Sequence, residues 1–161
     1  MTLKSAGRLV LCLMLCLGVG ILQSIATRPE IPNWYAELVK PPWTPPPIAF
    51  PVVWTVLYIL MAVSLWRLWD RAPPSRARLI AVGWFFLQLA LNAAWSPVFF
   101  GWHGIRMALA IIVALLIAVA MTILSSSRVD HPSAWLLVPY LIWVGYATTI
   151  NAGVVAMNDF S

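Results

Sequence analysis

The chain has 161 residues, of which 62% are hydrophobic and only 9% charged, with a formal net charge of +5 and a mean hydropathy of +0.89. Ordinary globular domains carry about 25% charged residues, so this composition excludes a water-soluble domain and places the chain in lipid. Its Lys and Arg residues sit at the ends of apolar runs rather than on a basic, aromatic-laced surface, which excludes a nucleic-acid partner.

Charges cluster near residues 4–8, 28–40, 67–78, 106 and 128–130. Each run between them reaches the roughly 20 apolar residues that cross a bilayer as helix. The pattern predicts an all-α integral membrane protein, a five-helix bundle forming one domain over residues 1–161. Its spans fall at about 9–26, 48–69, 78–100, 104–125 and 133–157, with one long connection at 27–47. Lys4, Arg8, Arg67, Arg71, Arg76, Arg78 and Arg128 lie on one side, and Arg28, Lys40 and Arg106 on the other. The positive-inside rule then predicts a cytoplasmic N-terminus, with loop 27–47 on the opposite side.

The first span, LVLCLMLCLGVGIL behind Lys4 and Arg8, also has the layout of a signal peptide with a small-residue cleavage site after Ala26. Cys12 and Cys16 within it read as small apolar residues, because two cysteines in lipid define neither a disulfide framework nor a metal site. After it, KPPWTPPPIAFPVVWTVLY opens with Lys40 and carries no further charge. Pro45, Pro46 and Pro47 hold the chain extended, and Pro51 falls in the first helical turn, where a missing N–H costs little. A stiff strut of this kind delivers Phe50, Val53, Trp54, Leu57 and Met61 on one face of the second span.

In the third span Gln88, Asn92, Trp95 and Phe99 share a face. Amides facing lipid are costly, so this face turns inward. Pro97 follows, and its missing N–H leaves the Ala93 carbonyl without its helical partner. In the fourth, Ala110, Ala114 and Ala118 form a small-residue ridge that admits another helix closely, from this chain or from a second copy. In the fifth, Trp143, Ala147, Ile150 and Asn151 share a face behind Pro139.

Chemistry-bearing groups are scarce. No Asp, Glu, Lys, Arg or His lies deep in a span, which argues against ion-coupled transport. His103 and His131 fall in short loops and read as interfacial histidines. No catalytic residue and no metal site are assigned, because no nucleophile, base and orienting group recur at a recognisable spacing. Seven of the ten tryptophans, Trp34, Trp43, Trp66, Trp69, Trp84, Trp102 and Trp135, fit an interfacial belt. Trp54, Trp95 and Trp143 lie within spans, where an indole N–H needs an acceptor. By pattern alone these faces serve helix packing or a binding pocket equally well.

Four motifs go further. NWYAELVKPPWTPP, PVVWTVLY, QLALNAAWSPVFFG and VPYLIW, the last followed by ATTIN, run in order from about residue 33 to 151. Together they resemble the signatures of the translocator protein family, also called TspO/MBR or the peripheral-type benzodiazepine receptor family. The resemblance implies a five-helix bundle, usually homodimeric, that binds porphyrins and related apolar ligands in a cavity near the long loop. By motif it assigns Trp54 and Trp143 to porphyrin contact or degradation, and Asn92 and Trp95 to the cavity lining. Phe50, Pro51, Val53, Ala110, Ala147 and Ile150 match positions that touch synthetic ligands, and Trp34, Tyr35 and Trp43 belong to the loop signature.

The resemblance therefore implies a bacterial-type member binding protoporphyrin IX or haem as ligand, with no cofactor required, in tetrapyrrole transport, sensing or stress regulation. Lys40 or Arg106 would meet the propionates. The alternatives are slow light- or oxygen-dependent porphyrin breakdown, and a structural membrane partner without a small ligand. Helical spans point to the inner membrane, since outer-membrane proteins are usually barrels. Two departures stand out. The run TINAGVVAMNDFS lacks the aromatic-then-basic pattern proposed for cholesterol, so cholesterol binding is not expected. Met107 stands where many members place a tryptophan, which loosens the expected cavity wall.

Overall fold

The computed structural model describes residues 2–158. Its elements are α1 (Leu3–Thr27), α2 (Trp34–Glu37), α3 (Ala49–Asp70), α4 (Arg76–Ser96), a π-helical turn (Pro97–Gly101), α5 (Ile105–Ser127), α6 (His131–Leu136) and α7 (Val138–Met157). Five helical stretches are long and apolar enough to cross a membrane: α1, α3, α4 with the π turn, α5, and α6 with α7.

Each span runs further toward the basic end than hydropathy suggests, because polar caps and ion pairs extend the helices into the interface. The Thr2 hydroxyl accepts from the Ser5 N–H, the Ser75 hydroxyl from the Arg78 N–H, and the Asp130 carboxylate from the Ser133 N–H, each satisfying a first-turn donor. The first span therefore starts at Leu3 rather than residue 9, and Arg8 lies within it, paired with Asp70 at 3.0 Å. Loop 27–47 is not wholly extended, since it contains α2. Pro97 cannot donate to the helical ladder, and the register slips there by one residue: Trp102 N–H reaches back to Pro97 O at 3.0 Å. Such π turns recur at functional sites. The fifth span is broken at Leu137, two residues before Pro139.

Around the bundle the order is first, second, fifth, fourth, third span. α1 packs on α3 and α4, α3 on α6, and α5 on both α4 and α7, whereas the backbones of α3 and α7 scarcely approach each other. The basic end is closed by contacts between elements. Arg67 Nε and Nη2 meet the Asp130 carboxylate at 2.7 and 3.0 Å. Ser64 and Ser133, both fully buried, bond hydroxyl to hydroxyl at 2.8 Å. Trp66, expected in the interfacial belt, is instead buried, and its indole donates to the Ser5 carbonyl at 3.1 Å. Trp102, Trp135 and Trp43 are exposed, as a belt requires.

At the other end α3 begins level with Trp143, since Phe50 meets that ring. α7 continues to Met157, about 20 Å further at 1.5 Å per residue. Loop residues cover that overhang. The Val39 backbone exchanges bonds of 2.8 and 2.7 Å with the Asn158 amide. Pro41 seats on Gly153, where a Cβ would come within 2.6 Å of its ring. The Tyr146 hydroxyl donates to the Trp43 carbonyl. The proline-rich segment is thus a strap laid along the C-terminal half of α7.

Candidate functional site

A polar knot holds the centre of the bundle. Asn92 Oδ1 accepts from Tyr58 OH at 2.7 Å and from Gln23 Nε2 at 2.6 Å, and Asn92 Nδ2 donates to Tyr140 OH at 2.9 Å. Gln23 also donates to Tyr58 OH at 3.0 Å, and its Oε1 accepts from the Ser96 hydroxyl at 2.9 Å. Four spans contribute. In hydrocarbon every unsatisfied polar group is expensive, so the side chains satisfy one another. Gly20 makes the arrangement possible, because a Cβ there would stand 2.6 Å from the Tyr58 ring. Of this knot only Asn92 stands out by helical spacing in the sequence. Tyr58, Tyr140 and Gln23 each lie in an apolar span where a polar group needs a partner, and that signal was readable.

On the knot rests an aromatic wall. Trp54 lies 5.6 Å from the Tyr58 ring and 6.1 Å from that of Tyr140. Phe50 meets Trp143 edge-on at 5.9 Å, and Trp143 adjoins Tyr146 at 5.6 Å. The Trp143 indole nitrogen is buried and has no hydrogen-bond partner among the described residues. Val53 and Ala147 are half-buried against the core, whereas Pro51 is exposed.

A second cluster closes the end opposite the basic one. Trp95 stacks on Phe99 at 5.0 Å and donates to Asn151 Oδ1 at 3.1 Å, while Asn151 Nδ2 holds the Ile105 carbonyl at 3.1 Å. Trp34 and Tyr35 of α2 lean on Phe99 and Phe100, and Ile150 is buried among them. His103, in a left-handed conformation with φ 55°, stacks on Trp34 at 4.1 Å and meets Glu30 at 3.1 Å. Trp95 touches both clusters and joins them.

Other candidates fall elsewhere. Ala110 and Ala114 are exposed on the outer face of α5, while Ala118 is buried, so the three alanines do not form one open ridge. Trp43 contributes its backbone, and the residue is 48% exposed. Lys40 Nζ is taken up by the Leu38 carbonyl at 2.8 Å and lies 4.8 Å from the Tyr35 ring centre. Met107 is no part of an inner wall. It lines an outer cleft of about 320 Å³ with Trp34, Leu38, His103, Arg106 and Asn158. Gln88 is on the inward face, fully buried, with neither amide atom bonded among the described residues. Among the described residues no group of three or more His, Cys, Asp or Glu side chains is placed to hold a metal.

The TspO/MBR family profile matches residues 12–157. The chain is 40% identical over 150 residues, 93% of its length and 95% of the relative's, to the tryptophan-rich protein TspO of Chlorobaculum tepidum. It is 36% identical over 126 residues, 78% of its length and 77% of the relative's, to a tryptophan-rich sensory protein of Cereibacter sphaeroides. Against the translocator protein of Bos taurus it is 36% identical over 133 residues, 82% and 79% of the two chains. With five apolar helices and this match across nearly its whole length, the chain belongs to the TspO/MBR family of multi-pass integral membrane proteins.

Proposed function

We propose that the protein binds tetrapyrroles such as protoporphyrin IX or haem, and similar flat apolar ligands, in the seam between α3 and α7, and that it serves their transport or sensing rather than catalysis. The observation that carries this reading is the Trp143 indole N–H, buried without an acceptor beside Phe50, where two helices scarcely approach. A buried donor left unpaired costs about 1–3 kcal/mol. A ligand carboxylate or carbonyl would take up that donor while the macrocycle lies against Trp54, Phe50 and Trp143. Asn92 acts from behind, fixing Tyr58 and Tyr140, since its amide is already engaged. Trp95, Ile150, Trp34 and Tyr35 close the outer end, and the strap through Trp43 must lift or flex for entry.

The names of two relatives, a sensory protein and a translocator protein, agree with a ligand-handling role. The test is a titration of detergent-solubilised protein with protoporphyrin IX, followed by indole quenching. The Trp54→Phe, Trp143→Phe double variant should bind at least tenfold more weakly. Equal affinity would remove the seam from the account.

Two further elements belong to this reading. The N-terminus faces the cytoplasm from the inner membrane, on the seven-to-three division of basic residues between the two ends; reporter fusions at the N-terminus that read out on the far side would reverse it. The exposed stretch at Ala110 and Ala114 meets a second copy. Sedimentation in detergent should then show a dimer that Ala114→Trp converts to monomer, and a monomeric wild type would dismiss it.

A further inference from the structure

At the basic end a groove of about 570 Å³ runs between α3 and the broken start of the fifth span. Leu60 and Val63 wall it from α3, Pro132 and Leu136 from α6, and Pro139 from α7. The groove follows from the sequence. Pro139 lacks the N–H that would carry the helix straight through, so α6 ends at Leu136 and a notch opens where an unbroken helix would pack. Leu60 to Arg67 covers two helical turns, about 10 Å of membrane depth.

The polar groups at its mouth are specific. Arg67 commits Nε and Nη2 to Asp130, and its Nη1 has no acceptor among the described residues. Trp135, which lines the same groove, is 72% exposed, and its indole N–H likewise has no partner among them. Around this end stand Lys4, Arg8, Arg67, Arg71, Arg76, Arg78 and Arg128, against the two carboxylates Asp70 and Asp130. The local field is therefore positive even after both carboxylates are paired.

We propose that this groove binds one anionic phospholipid from the leaflet at the basic end. An acyl chain lies along Leu60, Val63, Leu136 and Pro139, and the phosphate takes Arg67 Nη1 and the Trp135 N–H. Charge selects the headgroup: phosphatidylglycerol keeps its net negative charge toward the arginines, whereas phosphatidylcholine presents a cation to the same field. Lipid bound there wedges α3 against α6 and is independent of the Trp54 and Trp143 seam.

Native mass spectrometry of the full chain, released from detergent containing equal amounts of phosphatidylglycerol and phosphatidylcholine, tests it. One phosphatidylglycerol should be retained with at least tenfold preference. Val63→Trp, which fills the groove, should abolish retention while the far-UV spectrum and thermal midpoint stay at wild-type values. Leu136→Trp fills it from the opposite wall should Val63→Trp fail to fold. Trp135→Phe should weaken retention several-fold. Equal retention of the two lipids, or undiminished retention in a folded groove-filling variant, overturns the proposal. So does displacement by glycerol phosphate at the concentration where phosphatidylglycerol itself competes, because the acyl chain would then contribute nothing.

Discussion

Asn92→Ala is the most informative single substitution in this bundle. It deletes the acceptor of the Tyr58 hydroxyl and of Gln23 Nε2, and the donor to the Tyr140 hydroxyl, three bonds of 2.7, 2.6 and 2.9 Å. Interhelical hydrogen bonds in membranes contribute about 0.6–2 kcal/mol each, so the loss of three should total about 2–6 kcal/mol. Tyr58 and Gln23 keep each other, but Tyr140 loses its partner altogether. Tyr140→Phe removes only that last bond and should cost about 0.6–2 kcal/mol. Unfolding of the detergent-solubilised protein by rising mole fractions of dodecyl sulfate, followed by far-UV circular dichroism, measures each variant. The double variant should reveal a coupling of about 0.5–2 kcal/mol between the two side chains. If Asn92→Ala unfolds within about 0.5 kcal/mol of wild type, or the coupling is zero, the knot does not hold the spans together and the reasoning fails.

Three other outcomes are expected. Gly20→Ala should destabilise by about 1–3 kcal/mol in the same assay, because its Cβ would press on the Tyr58 ring at 2.6 Å; no change would mean that the ring moves away freely. Gly153→Ala pushes Pro41 off α7, so backbone amides of residues 34–40 should exchange with deuterium at least tenfold faster, while those of α5 keep their rate. Asp130 is held below the usual carboxylate range chiefly by the hydrogen bond from Arg67. A folded-state value below the unfolded one means that its contribution is present above the ordinary carboxylate range and is lost as pH falls through the lowered value. Unfolding midpoints at pH 7 and pH 3 should therefore differ less in Asp130→Asn than in wild type, and an unaltered difference would place the acid sensitivity elsewhere.

The elements were legible because hydropathy and prolines act within one segment. Five apolar runs bounded by charge give five spans. The inward face of Gln88, Asn92 and Trp95 follows from helical spacing, and the ladder disturbance at Pro97 from a missing N–H. Their ends were less so: Lys4 and Arg8 read as flanks, yet Arg8 is inside α1, because its partner Asp70 lies on the neighbouring helix α3.

What the sequence by itself determined is thus the set of rods, their polar faces and the family. Only the tertiary structure decided which face meets which. Asn92 and Trp95 lie on one helical stripe, yet one joins two tyrosines and a glutamine while the other finds Asn151. Trp66 and Trp135 both looked interfacial, but one is buried against the Ser5 carbonyl and the other lies open at a groove. The physical reason is that periodicity fixes a side chain's direction about its own axis, whereas its partner depends on how far neighbouring helices rotate and slide against it. Those two quantities are set jointly by Gly20 beneath Tyr58, the break at Leu137 and the strap on Gly153, contacts between segments that no single stretch of sequence contains.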